Sequence, residues 1–194
     1  MTKNTKPIAG TELTTNGAAL NVVNKLYLDI TNSTDLNDVT NGKWAWLALD
    51  ITQITPSANE TSQSDADYAG NGFGSTEITS KRFQLAVTGK RHIGDAAQDY
   101  IASKQFAIGN SLHTRALWID NGEAILAEVT LSNIVSTGGN ANANQTFQVT
   151  IVFNGAPVAI DGTLKMSASP TTDGTYTASV TAGAAAASVS KGQE

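Results

Sequence analysis

The strongest constraint on this chain is the stretch 43–54, KWAWLALDITQI, whose residues alternate as they do in an extended strand. Trp44, Trp46 and Ala48 fall on one face, and Ala45, Leu47, Leu49 and Ile51 fall on the other. Successive side chains of a strand point to opposite sides, so period-2 patterning rich in β-branched and aromatic residues demands a sheet. Both faces of this strand are apolar. The same period recurs at 25–31 (KLYLDIT) and at 81–88 (KRFQLAVT), where Phe83, Leu85 and Val87 oppose Arg82, Gln84 and Thr88 in a half-buried pattern. It returns at 146–153, with Phe147, Val149, Ile151 and Phe153 in phase before an Asn-Gly turn at 154–155. Residues 114–119 and 123–135 flank Asp120-Asn121-Gly122, and Asn-Gly readily supplies the positive φ angles a tight hairpin needs. One helix is expected over 95–104, with Asp95 as N-cap and Ala96, Ala97, Tyr100 and Ile101 at helical spacing. The core is therefore mainly β, with one short helix packed on it.

A chain of 194 residues is long enough for one domain with a proper core. Residues 1–160 are assigned to that β-domain, and 161–194, rich in Ala, Gly, Ser and Thr, to a C-terminal extension in which 175–180 resembles a strand. Between the strong strands lies 55–80, TPSANETSQSDADYAGNGFGSTEITS, with only Tyr68, Phe73 and Ile78 as large apolar side chains. A polar connection of this length reads as a long loop, and loops of that size inside compact domains are usually functional or disordered. Asp65, Asp67, Tyr68 and Phe73 are its candidate contact residues, the aromatics as anchors that dock on another surface.

Only 15% of residues are charged, against about 25% in ordinary soluble domains. A surface so poor in charge is poor at staying monomeric. The charge it has is segregated, with eight acids and one base over 26–80 but six bases and two acids over 81–115. Complementary blocks of this kind pair within a chain or between copies.

The composition excludes much chemistry. Without cysteine there is no disulfide, thiolate zinc site or iron–sulfur cluster, and two histidines at 92 and 113 leave metal chemistry few ligands. Gly70-x-Gly72-x-Gly74 lacks the flanking strand, helix and Gly-Lys-Ser/Thr of a phosphate loop, and no HExxH or Gly-x-Ser-x-Gly occurs. The three tryptophans lie inside strand patterns, which favours packing over an exposed sugar platform. Neither an enzyme, a metal site nor a cofactor is expected. With no apolar run of about 20 residues and no signal-peptide core, the chain is expected to stay where it is made, off the membrane. Lys81, Arg82, Lys90 and Arg91 form a basic patch in miniature, but an overall net charge of −5 argues against tight wrapping of DNA.

Residues 90–105 (KRHIGDAAQDYIASKQ), then Phe106-Ala107-Ile108-Gly109, Trp118-Ile119-Asp120-Asn121-Gly122, Leu131-Ser132-Asn133-Ile134, Gly138-Gly139 and Phe153-Asn154-Gly155 carry a family likeness. Together they resemble the major tail protein of long, non-contractile-tailed bacteriophages of the lactococcal and lactobacillus type, over about residues 80–155. The resemblance implies two packed antiparallel sheets with a flanking helix, hexameric rings stacked into a tail tube, and DNA leaving through the lumen on infection. It further implies a virion protein made in the host bacterial cytoplasm, partnered by itself and by tape measure, tail terminator and distal tail proteins. By the same resemblance the lumen is acidic, with Asp29, Asp50 and Glu77 as candidates, and the long loop and both termini reach the neighbouring ring. The subunit interface would draw on Lys81, Arg82, Lys90 and Arg91. The alternative readings are a phage capsid decoration protein or a carbohydrate-binding β-sandwich module.

Overall fold

The computed structural model describes residues 20–66, 68 and 72–181. Its strands, in chain order, are β1 (Lys25–Asp29), β2 (Trp44–Trp46), β3 (Ile51–Ala66), β4 (Gly74–Lys90), β5 (His113–Asp120), β6 (Glu123–Val135), β7 (Thr146–Phe153), β8 (Val158–Ala159), β9 (Thr163–Met166), β10 (Thr175–Tyr176) and β11 (Ala178–Thr181). Helix α1 spans Ala96–Ser103. Nine strands form one antiparallel sheet in the order β10-β2-β1-β5-β6-β7-β4-β3, with β8 beside β6, and β9 pairs with β11 in a second small sheet. The expected mainly-β architecture with two antiparallel sheets and one helix is present, and the sheets do not close into a barrel within the chain.

The large sheet folds over on itself. Phe83 on β4 stacks on Trp118 of β5 at 5.4 Å between ring centroids, although β7 and β6 lie between those strands in the hydrogen-bonded order. One layer (β6, β7, β4, β3) thus faces another (β5, β1, β2, β10) across a core that includes Leu26, Leu28, Leu85, Val87, Val129, Leu131, Phe147, Val149 and Ile151. Each such aliphatic or aromatic side chain contributes about 1.5–3 kcal/mol by leaving water. Helix α1 adds Ala97 and Ile101 to the same core. Asp95 caps it by accepting from the Gln98 amide at 2.9 Å, as its sequence position predicted.

A second apolar cluster lies on the opposite side of the β1–β2–β5 layer, where Tyr27, Trp44, Leu117 and Leu126 are covered by Val39, Leu164, Met166, Ala178 and Val180. This explains why 43–54 is apolar on both faces, since β2 has a core on each side. The strand expected there is nevertheless broken. A turn at 47–50, with Asp50 at φ 58°, ends β2 and starts β3, and so carries the chain from one layer to the other. The Asn-Gly hairpin is present as read, with Asn121 at φ 48° and Gly122 at φ 94°. The strand-like 175–180 does add to a sheet, twice, since β10 pairs with β2 and β11 with β9.

Candidate assembly surfaces

Residues 55–80 are not a loop. They form most of a long hairpin in which β3 pairs with β4 from Ile51↔Gly89 out to Ala66↔Gly74. Because β4 pairs with β7 only over Gln84–Lys90, the outer part, 58–66 with 74–82, has no other strand beside it and projects about 30 Å beyond the sheet at some 3.3 Å per residue. The segment lacks the alternation of a strand because almost every residue from Ala58 to Arg82 in the described hairpin is exposed. Cross-strand polar contacts hold it instead: Glu60–Lys81 at 2.7 Å, Ser64–Thr76 at 3.0 Å and the Thr79 hydroxyl donating to the Thr61 carbonyl at 3.1 Å. Pro56 fits because β3 is the edge strand, where a missing N–H costs no ladder bond. Asp65 and Glu77 lie near the far end, where Tyr68 and Phe73 are fully exposed. Asp67 lies outside the described residues, as do both termini that the resemblance assigns to inter-ring contacts.

The four basic candidates do not make one patch. Lys81 and Arg82 sit on the arm, while Lys90 and Arg91 are roughly 30 Å away along β4. Arg91 is ion-paired with Asp99 of α1. The acidic and basic blocks of the sequence do meet inside the chain, through Glu60–Lys81 and Asp29–Arg115, and the Asp50 carboxylate lies 2.7 Å from the His92 Nδ1.

The last pair overturns the reading of Asp29 as a lumen acid. Asp29 and Arg115 are 0% and 1% exposed. One carboxylate oxygen receives the Arg115 Nε at 3.0 Å as well as an Nη of the same guanidinium. The other oxygen accepts from the Thr31 amide (3.0 Å), the Thr31 hydroxyl (2.8 Å) and the Lys43 amide (3.2 Å). The remaining Nη of Arg115 donates to the carbonyls of Asp35 and Asp38, the latter at 2.7 Å, and the guanidinium lies 5.3 Å from the Trp44 ring centre. Buried charge is tolerated only when saturated in this way, and here the saturation clamps 31–43 over the second cluster. Local amide and hydroxyl donors from Asn37 and Thr40 hold Asp35 and Asp38 below the usual carboxylate range. Asp50 and Glu77 are exposed, the first on the layer-crossing turn and the second on the arm.

Two structural residues had little signal in the sequence. In the sequence Arg115 is one of the six bases of 81–115 and nothing more. Gln98, fully buried on α1, donates to the Leu49 carbonyl at 2.7 Å and accepts from the His92 amide at 2.8 Å, tying the helix to both adjoining turns. An amide in the buried stripe of a short helix was the only hint. Trp44 and Trp118 are buried, while Trp46 is partly open and packed by Tyr27, Tyr176 and Lys25. Among the described residues no group of three or more His, Asp or Glu is placed to hold a metal, and no helix is long and apolar enough to cross a membrane.

Neither a protein-family model nor a curated sequence matches the chain. Solved structures do. A chain from the tail of an empty gene transfer agent particle, reconstructed by helical refinement with C6 symmetry, aligns at TM-score 0.60 and 12% identity, over 74% of this chain and 99% of that one. A chain of the native gene transfer agent virion aligns at TM-score 0.54 and 11% identity, over the same shares. A chain of the phage p2 baseplate, in its activated conformation with Sr, aligns at TM-score 0.34 and 16% identity, over 74% and 46%, too loosely to carry an argument. At identities this low the first two likenesses establish the architecture alone: this chain shares the fold of a chain found in each of those particles.

Proposed function

We propose that this chain is a structural virion protein whose copies form hexameric rings stacked into a siphophage-type tail tube, the conduit for DNA ejection. The observation that carries the reading is the β3–β4 arm. A two-stranded ribbon bare on both faces is at best marginally stable in water, and this one is extended by nine residues a side while presenting unburied Tyr68, Phe73 and Ile78. Such an arm gains its burial from a neighbouring copy. The unlike edges of the large sheet, β3 at one end and β10 with the short β2 at the other, suit a head-to-tail contact, which closes into a ring when the rotation allows. The shared fold with a tail reconstructed in C6 symmetry supports six as the number. Tape measure, terminator and distal tail proteins are the partners this role requires, and no catalytic step, metal or cofactor belongs to it.

The experiment is electron microscopy of the concentrated protein beside a variant in which 59–82 is replaced by Asn-Gly, joining Ala58 to its partner Phe83. The parent should form hollow tubes or six-fold rings, and the shortened chain should remain a folded monomer. Long tubes from the shortened chain would remove the arm from the assembly, and a parent that stays monomeric even when mixed with its tail initiator complex would remove the tube.

A further inference from the structure

We propose that Asn121 is a site of spontaneous covalent modification, at which the side-chain amide is lost through a cyclic imide and the main chain is left in the isoaspartyl form. The inference stands independently of the tube reading above. An Asn-Gly pair is open to this reaction because glycine puts no side chain in the way of its own backbone nitrogen. The chain holds five such pairs, beginning at Asn16, Asn41, Asn71, Asn121 and Asn154, and those at 41, 121 and 154 lie wholly among the described residues. Tertiary structure sets these three apart. At 41–42 Gly42 is buried, with the Trp44 ring 2.5 Å from where a Cβ would stand. The Gly42 amide donates to the Val39 carbonyl at 3.4 Å, and the Asn41 carboxamide donates to Asp38 at 2.5 Å. At 154–155 the side chain is tethered, since Asn154 Nδ2 donates to the Thr130 hydroxyl at 2.8 Å and to the Glu128 carboxylate at 3.4 Å. At 121–122 both residues are exposed, and nothing stands within 4 Å of a Cβ placed on Gly122. The Asn121 carboxamide donates to Asp120 at 3.1 Å, a surface contact that is easily broken. Among the described residues no carbonyl accepts from the Gly122 amide, so the attacking nitrogen is free.

In the reaction the Gly122 nitrogen gives its proton to a solvent base and attacks the Asn121 Cγ. The new bond closes the imide ring, the Cγ–Nδ2 bond breaks, and the side-chain nitrogen leaves as ammonia. Water then opens the ring at either carbonyl. Addition at Cγ gives aspartate in an ordinary chain, whereas addition at the Asn121 backbone carbonyl routes the main chain through Cβ and gives isoaspartate. Water taken up and ammonia released balance the conversion, and it needs no oxidant or reductant. Both products place a third carboxylate between Asp120 and Glu123, which already pair across the turn. Like charges directly opposite one another weaken a strand pair. The isoaspartyl form alone also lengthens the turn, by one main-chain atom. Turn length sets the register of a hairpin, so this form should open the Asp120↔Glu123 end of β5–β6. It should also release the 3.0 Å bond from the Asn121 amide to Asn24 Oδ1, which ties the turn to the entry of β1.

The experiment incubates the full chain at mildly alkaline pH, folded and in urea, and follows the three sites by peptide mass spectrometry. Isoaspartate is identified by methylation with an isoaspartyl carboxyl methyltransferase and its methyl donor. In the folded chain Asn121 should convert several-fold faster than Asn154, with Asn41 slowest, and in urea the three rates should converge. Asn121→Gly, whose Gly-Gly pair a tight hairpin turn accepts, should fold and leave only the slow sites. Conversion of Asn154 or Asn41 in the folded chain as fast as Asn121 would overturn the selection by structure. An Asn121 that stays intact in the folded chain while converting in urea would overturn the site itself. The isolated isoaspartyl form should melt several degrees below Asn121→Asp, which carries the same charge on an unlengthened turn. Equal midpoints for those two would refute the opening of the hairpin.

Discussion

Removing the Arg115 guanidinium while keeping its bulk, as in Arg115→Met, tests the buried pair most directly. The substitution leaves the Asp29 carboxylate fully buried with one oxygen unpaired, and strips the donor from the carbonyls of Asp35 and Asp38. Breaking a buried ion pair from one side costs about 3–5 kcal/mol, where a surface pair costs about 0–1. For a chain of this length each kcal/mol shifts the thermal midpoint by about 2–4 °C, so the expected loss is about 6–20 °C. Arg115→Lys should recover little, because an ammonium lacks the planar fork that reaches a carboxylate and two carbonyls together. Asp29→Asn/Arg115→Met removes both charges and should recover part of the loss, the carbonyls staying unpaired. Urea denaturation followed by the fluorescence of Trp44, which lies against the guanidinium, reads all three. A loss below about 1 kcal/mol for Arg115→Met, the surface-pair value, would refute the claim that this pair is desolvated and clamps 31–43.

Three further outcomes follow from local geometry. Asp95→Ala should cost about 1 kcal/mol by removing the cap of α1, whereas Asp95→Asn should cost little, since it keeps an acceptor and sheds a charge whose pKa burial pushes up; thermal melts separate the two. Burial, with Tyr176 nearby, pushes the Tyr27 hydroxyl up to about 12, so its contribution is complete below about pH 10 and is lost as pH rises toward 12. Tyr27→Phe should flatten that alkaline loss in denaturation midpoints, and an unchanged slope would count against it. Gly89→Ala should destabilise by about 1–3 kcal/mol, because a Cβ there would stand 2.3 Å from the Asp50 carbonyl oxygen, on backbone that cannot step aside. Calorimetry checks it.

The sequence alone determined the elements whose pattern is set by local contacts. The 113–135 hairpin was legible because Asn121-Gly122 supplies the turn and each flanking strand has its core face. The bounds of β7 were legible because Phe147, Val149, Ile151 and Phe153 all face one core, and α1 because Asp95 and the Ala97/Ile101 pair mark its start and its buried side. The double-sided pattern of 43–54 correctly announced two cores, but not that the strand ends at Trp46 and turns at 47–50 to cross between layers. Three things belonged to the tertiary structure. The arm, 58–66 with 74–82, carries no hydrophobic period because neither of its faces is buried within one chain, so its strand character rests on cross-strand pairing rather than on a core. Asp29 looks like any surface acid until Arg115, 86 residues away, is brought beside it and 31–43 is folded over both. The open sheet face of the β6–β7–β4–β3 layer becomes visible only when the two layers fold together, because alternation says which side chains share a face and folding alone says which face the described residues leave bare.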